Sequence, residues 1–324
     1  MKFDKPTVEV IPCPSAIVED GHALLAHIER CGRIAYRSEN KIGEGTAIPF
    51  IHKIIESGHT SVLEHSEICL MMSDEVGRDL FDTTRILMEA DGFQSYLTVL
   101  KIVDGYMAYG NVRAWMDLVK AAAVRKVVPG AITAQLMNTQ PHIFMPEFLG
   151  VPDITARVNA EGVTVHTPVS TDPQKRVTVI IQCDRGVSHE LVRHRVMSFT
   201  QESTRWCNYG HSRFGKGLVF ESPEDCAYVP WEPMANVSFA KVCSIGETEY
   251  LSMINAGVMP QIARAALPNA LQTRLAMTGT VHQWRAFFKL RTAADAHPQM
   301  REIARKIKVN FYEADIFSSQ EAFS

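Results

Sequence analysis

The chain has 324 residues, 46% of them hydrophobic and 21% charged, which is enough for an ordinary packed core and lacks the polar bias of disordered segments. A formal net charge of -3 draws the chain as a whole neither to nucleic acid nor to an anionic membrane, so any anion site must be a local cluster. No apolar run approaches the roughly 20 residues that span a bilayer, and MKFDKPTVEVIPCPS lacks the apolar centre of a signal peptide, so a cytoplasmic protein is expected.

The first half reads as mixed α and β. Ile17 to Tyr36 carries Leu24, Leu25 and Ile28 at helical spacing, and Phe50 to Ser57 repeats the pattern after Pro49, with Gly58 as its stop. The loop HTSVLEH, His59 to His65, leads into a short apolar strand over Glu67 to Met72. Leu80 to Ala90 and Val112 to Val124 predict helices on either side of a β-rich stretch, Ser95 to Val103. From about Pro141 to Pro173 the pattern dissolves into Pro, Gly, Thr and Asp, which predicts an inserted excursion of loops or a hairpin within a single domain.

VTVIIQC, Val177 to Cys183, is the clearest buried strand. It delivers the chain to SHELVRHR, a short helix for which Ser188 is the expected cap, with Glu190 and Arg193 three apart on its surface. Met197 and Phe199 then alternate with Ser198 and Thr200, as in an extended arm with one apolar face. Phe239 to Asn255 predicts an amphipathic helix closed by Gly257. Ala296 to about Glu313 predicts another, with Met300, Ile303, Ile307 and Phe311 on its buried stripe. HQWRAFFKLR lies between them as an aromatic helix.

Strand, short helix and arm together predict that Arg193, Arg195 and Arg205 fold around one small volume with two hydroxyls. Clustered guanidinium groups repel unless an anion lies between them, and the planar fork of arginine suits phosphate. A solvated basic patch paired with Glu190, Glu202 and Asp184 is the ordinary alternative. The seven cysteines, Cys13, Cys31, Cys69, Cys183, Cys207, Cys226 and Cys243, include no CxxC pair, and there is no HExxH, so packed reduced thiols and no metal site are expected. GKGLV, reaching Gly215, lacks GxGxxG, so a flavin or nicotinamide would not be held by a Rossmann turn. A rival from another class is a single-stranded nucleic-acid module using Arg193, Arg195, Arg205 and Arg213 on phosphates, with Trp206, Tyr209 and Phe214 stacking bases. The near-neutral charge weighs against it.

The spacing RHR, two residues, Ser, four residues, Ser, one residue, Arg closely resembles the signature of the flavin-dependent thymidylate synthases, RHR followed by SxNExSxR. Arg193, His194, Arg195, Ser198, Ser203 and Arg205 match it, while Thr200 stands at the Asn position and Gln201 at the Glu position. HTSVLEH resembles the family's flavin-binding loop, and LPNALQTRLAMTG with FFKLRTAADAHPQMREIA resembles its C-terminal block. The resemblance implies an α/β (α+β mixed), non-Rossmann flavin fold over a single domain, assembled as a homotetramer with shared active sites. It implies reductive methylation of dUMP to dTMP with FAD as cofactor and NADPH and methylenetetrahydrofolate as co-substrates, and partners limited to small molecules and copies of the chain.

On the same resemblance FAD would meet His59, Ser61, Arg193, His194, Arg195, Gln201, Lys289, Leu290, Arg291 and Asp295. The nucleotide would meet Glu190, Arg193, Gln201, Glu202, Ser203, Thr204, Arg205, Arg274 and Arg301. Arg301 is the catalytic candidate, because a cation at the uracil edge can stabilise charge on N3 and the carbonyl oxygens. Ser203 lacks an identifiable base with an orienting partner and is expected to bind phosphate, and Cys207 is expected to be a packed thiol. A related flavoenzyme that makes a hydroxymethylated pyrimidine nucleotide shares these patterns.

Overall fold

In the computed structural model, residues 2–14, 22–151, 159–211, 217–223 and 233–318 are described. Arg213, Phe214, Gly215, Cys226 and the start of the predicted first helix, from Ile17, lie outside them. The chain divides into two compact units, one formed by Met1–Pro12, Cys31–Lys41 and Val177–Ser324, the other by Cys13–Arg30 and Ile42–Arg176.

In the first unit the run of β-branched residues from Val177 forms a strand, β7 (Arg176–Asp184), buried on both faces. It lies in a four-stranded sheet between β2 (Thr7–Pro12) and β10 (Gln272–Thr280), with β8 (Ser198–Gln201) at the far edge beside β10. β2 runs antiparallel to β7, and β8 antiparallel to β10. The hydroxyls of Thr178 and Thr278 meet at 2.6 Å, one from β7 and one from β10. Helices α10 (Val281–Arg291) and α11 (Pro298–Glu313) pack on this sheet. The predicted stripe of α11, Met300, Ile303, Ile307 and Phe311, is fully buried. It meets Trp284, Phe287 and Phe288 of α10 in an aromatic cluster, and the Trp284 indole N–H is satisfied by Val177 O at 3.0 Å.

A parallel pair, β1 (Lys2–Asp4) with β9 (Val219–Glu221), and helix α8 (Pro233–Asn255) complete this unit around Cys207, Tyr209, Phe220, Tyr250 and Leu271. The helix predicted from Phe239 is present and ends before Gly257, at φ 85°. Its amphipathic segregation is weaker than expected, because Met234, Val237, Val242 and Ile245 are all exposed.

The second unit carries the antiparallel sheet β4–β5–β3–β6, formed by β3 (Ile68–Met72), β4 (Thr98–Ile102), β5 (Gly105–Gly110) and β6 (Val163–His166). Helices α2 (Ala47–Glu56), α3 (Asp74–Asp91), α4 (Val112–Arg125) and α5 (Gly130–Thr139) supply its core, built around Trp115. One correction concerns the excursion at 141–173. Among its described residues, which leave out 152–158, it holds a turn of helix, α6 (Pro146–Leu149), and a strand, β6, which pairs with β3. The short alternation VTVH was too brief to declare its partner.

Thr280 closes a full capping box at the start of α10: its side chain accepts from Gln283 N at 3.1 Å, and Gln283 Oε1 accepts from Thr280 N at 2.9 Å. Thr280→Ala is expected to lower the unfolding free energy by about 1 kcal/mol in denaturant titration. An unchanged midpoint would show that the cap contributes nothing.

Candidate functional site

After β7 the chain enters α7 (Arg185–Leu191), and its cap is Asp184 in place of the predicted Ser188. Asp184 Oδ1 accepts from Val187 N at 2.7 Å and Oδ2 from Gln299 Nε2 at 2.9 Å. Burial raises the Asp184 pKa, and these donors oppose the rise. Ser188 lies inside the helix and fully buried, its hydroxyl donating to Arg185 O at 2.9 Å and accepting from Gln201 Nε2 at 2.9 Å. Gln201 also donates to Thr273 Oγ1 at 3.2 Å. Since the Ser188 proton is taken by the Arg185 carbonyl, the partner must donate, which an amide does and a carboxylate does not. That accounts physically for Gln201 where the signature has Glu.

The helix stops at Leu191, so Arg193 sits in a turn, its N–H on Glu190 O at 3.2 Å. Arg193 and Arg195 are exposed. Between them His194 turns inward against Phe287, ring centroids 4.9 Å apart, and accepts from Arg291 Nε at 3.1 Å. Arg291 Nη1 in turn bonds Glu190 Oε2 at 2.9 Å. Burial first, and the Arg291 charge second, hold the His194 pKa down at about 4. Lys289, Leu290 and Asp295 are exposed on the last turn of α10 and the loop after it, and Arg301 Nη1 donates to Ala294 O of that loop at 2.9 Å.

β8 then carries the chain away as the extended arm that the sequence predicts. Four extended residues advance about 10 Å from first to last Cα at roughly 3.3 Å each. Arg193 and Arg195 therefore precede the strand, and Ser203 and Arg205 follow it. Ser198 and Thr200 are buried as well as Met197, so both faces of the arm are covered.

Beyond β8 a second group forms. Glu202 N donates to Arg274 O at 2.8 Å, which sets Arg274 of β10 beside the end of β8. The Glu202 side chain is 4% exposed; its Oε1 accepts from Tyr209 Oη at 2.5 Å and its Oε2 lies 3.8 Å from Arg37 Nε. Burial raises the Glu202 pKa, against the opposing pull of Arg37 and the Tyr209 hydrogen bond. Arg37 adopts φ 44°, a strained left-handed conformation for a non-glycine residue. Its guanidinium lies 5.7 Å from the Tyr209 ring centre. Ser203 N donates to Ala35 O at 3.0 Å, Thr204 Oγ1 accepts from Arg264 Nη1 at 3.2 Å, and Arg205 Nε donates to Gln261 Oε1 at 3.1 Å. Arg274 Nη1 pairs with Glu39 Oε1 at 2.7 Å.

Ser203 Oγ accepts from Arg205 N at 3.3 Å, and among the described residues no histidine or carboxylate bonds it, so nothing activates it as a nucleophile. Cys207 is fully buried with its thiol directed at Ala35 O. The exposed Arg193 and Arg195 agree with the solvated basic patch, but its carboxylates are engaged elsewhere, Glu190 by Arg291, Glu202 by Tyr209 and Arg37, and Asp184 as the cap of α7. The stacking rival loses Tyr209, which is 4% exposed, though Trp206 is exposed under Arg205. Tyr209 entered the sequence reading only as a base-stacking ring, and Arg37, Glu39, Gln261 and Arg264 were not singled out. Neither spacing nor composition signals them, because they arrive from segments far from the motif.

In the second unit His59 and Ser61 are both exposed, His59 just before and Ser61 within the 3-10 turn Thr60–Glu64. Glu64 of that turn is held by Arg113 Nη1 at 2.6 Å, and His65, fully buried, has its pKa pushed down to about 3 by burial.

Residues 170–315 match the family described as thymidylate synthase complementing protein. The chain is 31% identical over 126 residues to the flavin-dependent thymidylate synthase of Mycobacterium tuberculosis, covering 37% of this chain and 50% of that protein. It is 32% identical over 130 residues to the enzyme of that name from Pyrococcus furiosus, covering 39% and 49%. To that of Corynebacterium glutamicum it is 32% identical over 139 residues, covering 39% and 54%. The matched region thus spans about half the length of these curated relatives. A solved UMP/dUMP methylase of Streptomyces cacaoi with 5-Br dUMP bound aligns at a TM-score of 0.40 and 14% identity over 97% of this chain and 93% of that one, too loose a likeness to carry an argument.

The short helix α7 rests on a small acidic pocket that makes its own prediction. Glu221, 3% exposed, faces Asp184, Gln299 and Glu302 there and accepts from Gln272 Nε2 at 3.2 Å. Burial, reinforced by the Asp184 charge, pushes its pKa up from the ordinary 4.5 to about 8. A folded-state pKa raised in this way gives stability that is complete below pH 4.5 and lost as pH rises through about 8. Glu221→Gln is neutral throughout, so its unfolding free energy relative to the parent should climb across that window. Parallel stability profiles would contradict the assignment.

Proposed function

We propose that this chain, whose residues 170–315 match the thymidylate synthase complementing protein family, is a flavin-dependent thymidylate synthase that methylates dUMP to dTMP. The observation that carries the reading is the end of β8, where the Glu202 N–H bonds Arg274 O and Ser203 and Arg205 follow directly, the Ser203 hydroxyl accepting from Arg205 N. It is a compact donor set of the kind that takes a nucleotide phosphate.

The residues assigned to FAD fit a flavin dinucleotide. Arg193 and Arg195 are exposed and, among the described residues, in no ion pair, and His194 lies between them, a donor chemistry that suits a pyrophosphate. His59, Ser61, Gln201, Lys289, Leu290 and Asp295 are the further residues proposed to hold the cofactor. FAD, reduced by NADPH, would supply the hydride, and methylenetetrahydrofolate the carbon. The protein's own part is binding and polarisation. Ser203, Arg205 and Arg274 hold the phosphate, with Arg274 exchanging Glu39 for the ligand. Thr204 and Glu202 shape the loop that presents them. Arg301 stabilises negative charge on the uracil edge, which makes C5 more nucleophilic. No protein nucleophile is required, in keeping with the unactivated Ser203 and the buried Cys207.

The chain is proposed to work as one catalytic domain, in the cytoplasm, as a homotetramer with shared sites. Supporting self-association, α8 exposes Met234, Val237, Val242 and Ile245. Among the described residues no helix is long and apolar enough to cross a membrane.

Purified protein is expected to be yellow and to release FAD on denaturation, and protein that is colourless and takes up no added FAD would sink the flavin reading. With dUMP, NADPH and methylenetetrahydrofolate, mass spectrometry should find the methylated nucleotide. A hydroxymethylated product would move the chain to a sister reaction. Arg301→Lys should cut turnover at least about tenfold while FAD stays bound, since a point charge replaces a planar fork. Unchanged turnover would remove Arg301 from the mechanism.

A further inference from the structure

A guanidinium N–H donates and never accepts. Arg291 Nε lies 3.1 Å from His194 Nε2, so Nε2 directs its lone pair at Arg291, and a neutral ring must carry its hydrogen on Nδ1. Protonating Nε2 would set two donors against each other and two positive charges side by side.

The remaining surroundings act in the same direction. Phe287 of α10 packs edge-on to the ring at 4.9 Å and fixes its plane. The flanking Arg193 and Arg195 add positive charge from the ring's own turn. The nearby carboxylate, Glu190 of α7, is engaged by Arg291 through Nη1 at 2.9 Å, and the Glu190 carbonyl lies 3.4 Å from Nη2. Half-burial with the Arg291 charge accordingly lowers the His194 pKa to about 4. Among the described residues no protein group accepts from Nδ1, so that N–H is left for a ligand.

We propose that Arg291 is a positioning residue: anchored by Glu190, it locks His194 as the neutral Nδ1–H tautomer, which offers a single uncharged donor at a fixed angle to an oxygen of the bound flavin nucleotide. Arg291 thereby acts through the histidine and not on the cofactor directly, and Glu190 serves Arg291 and not the substrate. The identity of the acceptor rests on the flavin reading above; the tautomer does not.

The test is nitrogen-15 NMR of the histidine side chains in flavin-free protein, with His194→Gln to assign the signal. His194 should show hydrogen on Nδ1 and remain neutral from pH 5 to pH 9, roughly a unit and more above its lowered pKa. In Arg291→Met the ring should titrate at a higher pH than in the parent, though below the ordinary 6.5 because its burial remains, and populate both tautomers, and FAD should bind about tenfold more weakly, the loss of one oriented hydrogen bond. Arg291→Lys keeps charge and a donor, guards against misfolding of the Met variant, and should restore the Nδ1–H form. Hydrogen on Nε2, a midpoint near 6.5 in the parent, or a Met variant with the parent's tautomer and titration would each overturn the proposal. FAD added to the parent should shift the Nδ1–H signal. A fixed tautomer that ignores bound FAD would overturn the choice of acceptor, and failure to bind FAD at all would strike the flavin reading instead.

Discussion

A carboxylate enclosed by protein must be held by hydrogen bonds or opposite charge, because losing water costs an ion several kcal/mol. Glu202 is held in this way, and the end of β8 depends on it. The Tyr209 hydroxyl is the stronger partner, a charge-assisted bond contributing about 1.5–3 kcal/mol. Arg37, a third exposed and 3.8 Å away, contributes less because solvent screens it. Through these two partners one side chain ties together the strand end, the turn through Tyr209 and the segment after Ile34. Arg37 is held in left-handed backbone to reach it. Ser203 and Arg205 inherit their positions from that anchor, and the Glu202 N–H bond to Arg274 O sets the third member of the group.

The same logic operates before the strand at smaller scale. Arg291 is fixed by Glu190 and in turn fixes His194, so a long flexible cation becomes part of a rigid frame. Arg193 and Arg195 stand exposed on that frame and, among the described residues, in no ion pair. On the proposed function β8 spaces one set of donors at its start from another past its end. A nucleotide and a dinucleotide cofactor are two anions, and two separated cradles suit them better than one crowded cluster would.

Legibility in the sequence followed physical locality. The buried strand from Val177, the stripe of α11 and the aromatic helix α10 were readable because apolar periodicity is set by the core they face. The motif RHR to Arg205 was readable as chemistry and its arm as extended, yet the partners of its side chains were not, since sequence does not fix where a long guanidinium reaches. Ser188 looked like a cap because a hydroxyl before an apolar run often is one. Asp184, four residues earlier, took the role as the last residue of β7. Tyr209 looked like a stacking platform and proved to be the clamp on a carboxylate. Arg37, Glu39 and Arg264 carried no signal, for their importance comes from contacts more than 50 residues away in the chain.

The claim on which the account turns is that the end of β8 holds a nucleotide phosphate. Isothermal calorimetry with dUMP and with deoxyuridine, on the parent protein and on Arg274→Ala, tests it most directly. The account predicts that dUMP binding falls at least about tenfold in the variant, the cost of one charge-assisted contact, while deoxyuridine, lacking the phosphate, binds both proteins alike. Equal dUMP affinity in the two proteins would contradict it.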